Sequence, residues 1–367
     1  LHKLSFNRYS QKDTFVFLKG IFRQKRRREK MKIKEISQGL KASGYIPSLQ
    51  ISYAVKAAID CNTPLLIEGD PGVGKTQLAK AVANMLNTEL IRVQFYEGQT
   101  ADKILFDYDY QRQLLTIQAI SASLQETLKN KSIDECLQAV SGLNFYSEDF
   151  LIERPLLKAI RSNKRCVLLL DEVDKASEEI EYTLLEFLED YSLSIPQLGT
   201  VHADEKTRPI VILTSNRYRE LSQALRRRCS YLYIPTKTKG EMLEILKANV
   251  QANPALLEEV AKVMVELAKQ STRLHHVPSV AEAIEWTRQM VSAVDDPNVK
   301  LASTLGALFK DEEDYQRFVK SNGTCSSVFD PCSQILASMA LQTESEVASG
   351  ESGEATGETE ETSGEVG

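Results

Sequence analysis

Ile51, Ala54, Val55 and Ala58 recur at helical spacing between about residues 46 and 60, so a helix with one apolar face is expected there. The apolar run Pro64-Leu65-Leu66-Ile67 follows and stops at a glycine-rich turn. From Thr76 the helical rhythm returns, with Leu78, Ala79, Val82, Ala83 and Leu86 on one stripe. Strand, glycine turn and helix in that order open a βα unit. Apolar runs at 90–95, 166–170 and 210–213 read as unbroken, the pattern of parallel strands covered on both faces. Helical stretches separate them, one carrying Ile180, Leu184, Leu185 and Leu188. The fold class expected is α/β, a mainly parallel sheet sandwiched by helices.

Past about residue 236 the strand pattern stops. Helices are expected near 239–250, 255–270, 279–292 and 298–309, the third opened by a capping box, Ser279-x-x-Glu282, after Pro278. The organisation expected is a basic arm at 1–40, an αβα unit at 41–236, a small all-helical unit at 237–320 and an acidic tail at 321–367. Residues 338–367 hold eight Glu and no Lys or Arg, with almost nothing large and apolar to bury, and are expected to be disordered. Residues 1–30 hold ten Lys or Arg against two acids and read as a solvated arm. The first Met is Met31, so translation starting there is a further expectation.

Composition changes this picture little. At 42% hydrophobic and 26% charged, the 367-residue chain is that of an ordinary globular protein. The net charge of −6 argues against wholesale nucleic-acid binding, and no stretch approaches the ~20 apolar residues of a membrane span. Six scattered cysteines without a C-x-x-C pair suit free thiols in a reducing compartment, so a cytoplasmic protein is expected.

The chemistry is concentrated at strand ends. Gly69-Asp70-Pro71-Gly72-Val73-Gly74-Lys75-Thr76 fits the phosphate-loop pattern, in which curled backbone turns N–H groups onto phosphate oxygens. Lys75 is placed to reach the terminal phosphates and the Thr76 hydroxyl to ligate Mg²⁺. ATP and Mg²⁺ are the ligands expected, with Gln77 extending the loop contacts. Val167-Leu168-Leu169-Leu170 then runs into Asp171 and Glu172. Asp171 is expected to hold Mg²⁺ through water, and Glu172 to act as general base on the attacking water. Asn216, after the 210–213 run, is a candidate γ-phosphate contact, the alternative being a plain turn asparagine. Arg226-Arg227-Arg228 precedes an apolar strand and offers an arginine finger, the alternative being a solvated turn.

These elements, in this order before a helical unit, resemble an AAA+ ATPase over about residues 40–310. Within that superfamily the chain is similar to the MoxR group, and to its CoxD-like branch. That likeness is carried by Tyr96-Glu97-Gly98, Glu153-Arg154-Pro155-Leu156-Leu157-Lys158-Ala159 and Ile195-Pro196-Gln197-Leu198-Gly199-Thr200. Ser215-Asn216-Arg217, Leu225-Arg226-Arg227-Arg228-Cys229, Val280-Ala281-Glu282-Ala283-Ile284-Glu285-Trp286 and Thr304-Leu305-Gly306-Ala307-Leu308 carry it too. The resemblance implies a homo-oligomeric ring, usually a hexamer, that remodels a client protein, with a von Willebrand factor A domain protein as recruiter. It also implies metalloenzyme maturation for the CoxD-like branch. By resemblance Asn216 is sensor 1, Arg228 the finger with Arg227 second, and Gly44-Tyr45-Ile46 the adenine contact. Residues 192–203 become an inserted hairpin, and part of 97–150 an insertion facing a pore or client. Ala281 stands where many such lids carry an arginine, with Arg273 and Arg288 the nearest candidates. The readings that compete are a small-molecule P-loop kinase, a DNA-associated ATPase of clamp-loader type and a non-hydrolysing nucleotide switch.

Overall fold

The computed structural model describes residues 31–128, 146–196, 198–294 and 301–320. In chain order the first elements are α1 (Ile33–Ala42), α2 (Leu49–Cys61), β1 (Leu65–Glu68), α3 (Lys75–Met85) and β2 (Leu90–Gln94). There follow β3 (Phe106–Tyr108), α4 (Tyr110–Leu128), β4 (Leu151–Glu153), α5 (Pro155–Arg161), β5 (Val167–Asp171) and α6 (Glu178–Asp190). Next come β6 (Ser192–Ile195), β7 (Gly199–His202), β8 (Ile210–Ser215), α7 (Gln223–Arg228) and β9 (Ser230–Tyr233). The C-terminal helices are α8 (Lys239–Asn249), α9 (Pro254–Lys269), α10 (Val280–Val294) and α11 (Glu312–Lys320).

Five strands form one parallel sheet in the order β2-β5-β8-β1-β9. Each strand reaches its neighbour through a crossover, so all five end on the same edge. Alternate residues serve opposite faces. Leu66, Leu168, Leu170, Val211 and Leu213 pack with Leu156, Ile180, Leu184 and Phe187 of α5 and α6. Leu65, Ile67, Leu169 and Ile212 pack with Ile51, Val55, Leu78 and Val82 of α2 and α3. Both faces are covered, which is why β1, β5 and β8 are apolar throughout except at their C-terminal ends.

Three expectations need correcting, and one helix was not expected. Helix α1 is no part of an arm, because Ile36 and Leu40 are fully buried in the α2–α3 face of the core. Strand β2 alternates rather than running unbroken: Ile91 and Val93 are buried while Arg92 and Gln94 point away from the apolar core. The helix expected at 298–309 is a 3₁₀ turn at Leu301–Ala307, in a segment that contains Gly306. Beyond it lies α11, which the apolar pattern did not announce; its Asp314 is buried and accepts the backbone N–H groups of His275 and His276 at 2.9 and 3.0 Å. The basic run at 25–28 and the tail beyond 320 lie outside the described residues.

The segment 97–150 contributes β3 and α4, and β3 pairs antiparallel with β4 just beyond it. β6 and β7 form the hairpin expected at 192–203. Past β9, helices α8, α9 and α10 share their own apolar core around Trp286, whose indole N–H donates to Thr304 Oγ1 at 3.0 Å. This helical region leans on the sheet through the start of α10. The Val280 N–H approaches the Gly72 carbonyl at 3.4 Å, and a Cβ built on Gly72 would lie 2.3 Å from Ser279 Cβ. Glycine at 72 is therefore demanded twice, by this approach and by φ +78°.

Candidate nucleotide site

Ligands of open parallel sheets bind at the C-terminal edge, beside the strand whose neighbours are reached in opposite directions. That strand here is β1, between β8 and β9, and residues 69–74 loop off its end into α3. Gly72 and Gly74 both take positive φ, +78° and +98°, which turns the loop back on itself at the helix N-terminus. Gly69 is pressed against β9: a Cβ there would lie 2.4 Å from the Ile234 carbonyl oxygen. Lys75 is buried, and its ammonium donates to the Gly69 and Asp70 carbonyls, each at 2.8 Å. Burial pushes its pKa down, against the pull of Asp174, Asp70, Asp171 and Glu172. The loop therefore holds one desolvated cation, placed where an anion can reach it.

Asp171 ends β5 with its carboxylate buried and four donor groups on it. Thr76 Oγ1 and Thr214 Oγ1 donate to Oδ1 at 2.9 and 2.6 Å; Arg92 Nε and Nη2 donate to Oδ2 at 2.9 and 2.6 Å. A buried carboxylate is tolerated only when so paired. Glu172 follows with φ +58°, a left-handed conformation costing a non-glycine residue about 1–3 kcal/mol. Its N–H donates to Thr214 Oγ1 at 2.9 Å, so one hydroxyl positions both carboxylates. The Glu172 side chain accepts from Asn216 Nδ2 at 3.2 Å, Gln94 Nε2 at 2.8 Å and Lys175 Nζ at 2.8 Å.

Thr76, Asp171, Glu172 and Asn216 thus form one connected network although they come from three separate segments. Thr76 Oγ1 and Asp171 Oδ1 are hard oxygen donors converging beside the loop, the donor set that suits Mg²⁺. A cavity of about 350 Å³ opens on the other side of the loop. Gly44, Tyr45, Ile46, Val73, Gln77 and Lys237 line it from the sheet region, and Ile245, Val280, Ala281, Ile284 and Arg288 from the helical region. Its size and mixed lining suit a base and ribose. Pro71, exposed at the loop's turn, does not line it.

Arg92, Gln94, Thr214, Lys175 and Lys237 were not among the residues singled out from sequence. The alternation Ile91-Arg92-Val93-Gln94 carried a signal for two of them, since it gives β2, the edge strand of the sheet, one polar face. The arginine run splits in three directions. Arg226 bonds the buried Glu68 at 2.7 Å, Arg228 pairs with Glu189 and donates to the Ala224 carbonyl at 3.1 Å, and Arg227 is exposed. Among the described residues Arg288 reaches only the Asn249 carbonyl, at 3.4 Å, and Arg273 sits in a 3₁₀ turn at Ser271–Arg273.

The chain is similar to chaperone protein ClpB of Lactiplantibacillus plantarum, 26% identical over 257 residues, covering 69% of this chain and 23% of that protein. ClpB of Mycoplasma pneumoniae is 24% identical over 264 residues, 68% of this chain and 32% of the relative. Mitochondrial ClpB4 of Arabidopsis thaliana is 24% identical over 288 residues, 77% and 23%. The chain thus spans only 23–32% of the length of these relatives. Among solved structures, the RuvB Holliday junction branch migration motor of Thermotoga maritima aligns with TM-score 0.40 and 18% identity, over 77% of this chain and 74% of that one. Residues 64–229, from just before β1 to just after the arginine run, match the family model of the AAA domain (dynein-related subfamily).

Proposed function

We propose that this chain is an AAA+ ATPase that hydrolyses ATP with Mg²⁺ and uses the energy to remodel or activate a client protein. The observation that carries it is the Thr76–Asp171–Thr214–Glu172–Asn216 network, which joins a phosphate loop to a poised carboxylate at the sheet edge. Mg²⁺, when bound, screens the negative charge of the phosphate oxygens. Thr76 and Asp171 would hold it, and Arg92 would keep the Asp171 carboxylate turned toward Thr76. Lys75 would exchange its two carbonyl partners for phosphate oxygens. Glu172 would take a proton from the attacking water, with Asn216 orienting water and terminal phosphate together. Tyr45, Ile46 and Gln77 would bound the base.

The chain is further proposed to work as a homo-oligomeric ring, a hexamer by resemblance to the MoxR group. Arg228 is proposed as the finger for the neighbouring subunit's nucleotide, with Arg227 second; its pairing with Glu189 then has to open on assembly. A von Willebrand factor A domain protein is the proposed client recruiter, metalloenzyme maturation the proposed setting and the cytoplasm the proposed compartment. Among the described residues no helix is long and apolar enough to cross a membrane.

Phosphate release from ATP, measured with and without Mg²⁺, tests the core of this reading. Glu172→Gln is expected to bind ATP as the parent does and to lose turnover by about 10²–10⁴-fold. Near-normal turnover removes Glu172 from the base role. Arg228→Ala mixed with Glu172→Gln is expected to recover part of the activity if sites form between subunits. Failure to recover it, with assembly confirmed by sedimentation, excludes a finger in trans at 228.

A further inference from the structure

Five cations stand at the sheet edge beside the phosphate loop, one of them Arg226, which is committed to Glu68. Lys75 is committed to loop carbonyls, Arg92 to Asp171 and Lys175 to Glu172. The fifth is Arg217, the residue after Asn216. Its guanidinium bonds Asp70 Oδ1 at 2.7 Å and lies 5.2 Å from the centre of the Tyr233 ring. Asp70 belongs to the phosphate loop itself. The pair is wet, with side chains 47% and 48% exposed, and an ion pair so exposed adds little to stability.

The backbone around Arg217 is built far more firmly than that pair requires. Its φ is +64°, a conformation uncommon outside glycine. Its N–H donates to Ser215 Oγ at 3.0 Å. The buried Asp174 pins both flanks, accepting the N–H groups of Asn216 and Tyr218 on Oδ2 at 3.0 and 2.8 Å. Strain held this tightly at a strand end marks a side chain whose direction matters. Here it aims a guanidinium across the mouth of the loop, with an aromatic face limiting its swing.

A carboxylate inside an anion-binding loop repels the anion unless a cation covers it, and Arg217 is the cation that covers Asp70. A terminal phosphate offers the same fork geometry as a carboxylate with more charge, so it competes well for a planar guanidinium. We infer that Arg217 binds the terminal phosphate of the nucleotide in cis, with Asp70 competing for the same guanidinium. Because Asn216 is its chain neighbour, that exchange carries the sensor turn toward the phosphate. The inference rests on the reading of the loop as an ATP site.

The test is titration of the full chain with fluorescent ADP and a fluorescent non-hydrolysable ATP analogue. Arg217→Ala is expected to weaken the triphosphate about tenfold or more and ADP less than about twofold. Arg217→Lys keeps part of the triphosphate preference. Asp70→Asn, which breaks the pair but leaves the guanidinium, is expected to tighten the triphosphate about two- to threefold. Equal losses for both nucleotides in Arg217→Ala overturn the inference, as does a loss in Asp70→Asn matching that in Arg217→Ala. Circular dichroism checks that each variant is folded, and Asp70→Asn decides the matter if Arg217→Ala is not. A parent chain that binds neither nucleotide overturns the ATP reading instead.

Discussion

The edge of the sheet and the helical region beyond β9 meet at the same loop, yet they bring different things to it. The sheet edge brings charge, and nearly all of it is already paired: Asp171 with Arg92 and two threonines, Glu172 with Asn216, Gln94 and Lys175. The helical region brings backbone and apolar wall. Its contact with the loop is Val280 and Ser279 against Gly72, and it lines the cavity with Ile245, Val280, Ala281 and Ile284. Its nearest cation in the cavity lining, Arg288, is exposed and among the described residues bonds only the Asn249 carbonyl. Chemistry on a rigid sheet and shape on a separate helical core is an arrangement in which the second can move without dismantling the first.

Trp286→Ala should strike hardest, because it empties the centre of the helical core and removes the indole donor to Thr304 Oγ1. A loss of about 3–5 kcal/mol is expected in denaturant unfolding. If the two regions are separable, hydrogen exchange will rise in α8–α10 while β1, β5 and β8 stay protected. Exchange rising equally in the sheet breaks the comparison.

Gly72→Ala comes next. It forces a methyl into Ser279 and strains a φ of +78°, so a destabilisation of about 1–3 kcal/mol is expected in thermal unfolding. Nucleotide affinity should fall with it, since the loop and the start of α10 cannot both keep their places. Unchanged affinity and stability would mean that the contact between the regions is dispensable.

Thr214→Val is smaller in stability and sharper in consequence. It removes the hydroxyl shared by Asp171 and the Glu172 N–H, worth about 1–2 kcal/mol by denaturation. Turnover should fall more than nucleotide affinity, because the residues displaced are those proposed to act on water and metal. An affinity loss equal to the turnover loss would count against that assignment. Arg288→Ala should do least, changing affinity by less than about threefold in the same titration. A larger effect would give the helical region an electrostatic share in binding and erase the contrast.

Much of the site was legible because its parts are local. The phosphate loop needs glycines at fixed offsets, and an apolar strand ending in Asp171 and Glu172 declares itself within six residues. The capping box at Ser279 was equally plain, and Glu282 accepts the Ser279 N–H at 2.6 Å as that pattern requires. What escaped was non-local. The pairing of Arg92 with Asp171 spans 79 positions, and that of Arg217 with Asp70 spans 147. Nothing in either neighbourhood announces its partner. Burial of α1 escaped for a related reason, since Ile36 and Leu40 face α2 and α3, which lie outside their own segment.

The sequence by itself determined the parallel α/β class, the order of the strands along the chain and the residues proposed to touch phosphate or metal. These follow from hydrophobic period and backbone permissiveness, which act over a few residues. Only the tertiary structure decided which charges neutralise which, and how three adjacent arginines part company. It also brought the start of α10 onto Gly72. Such contacts depend on which strand ends share an edge, a property of sheet order and not of any one segment.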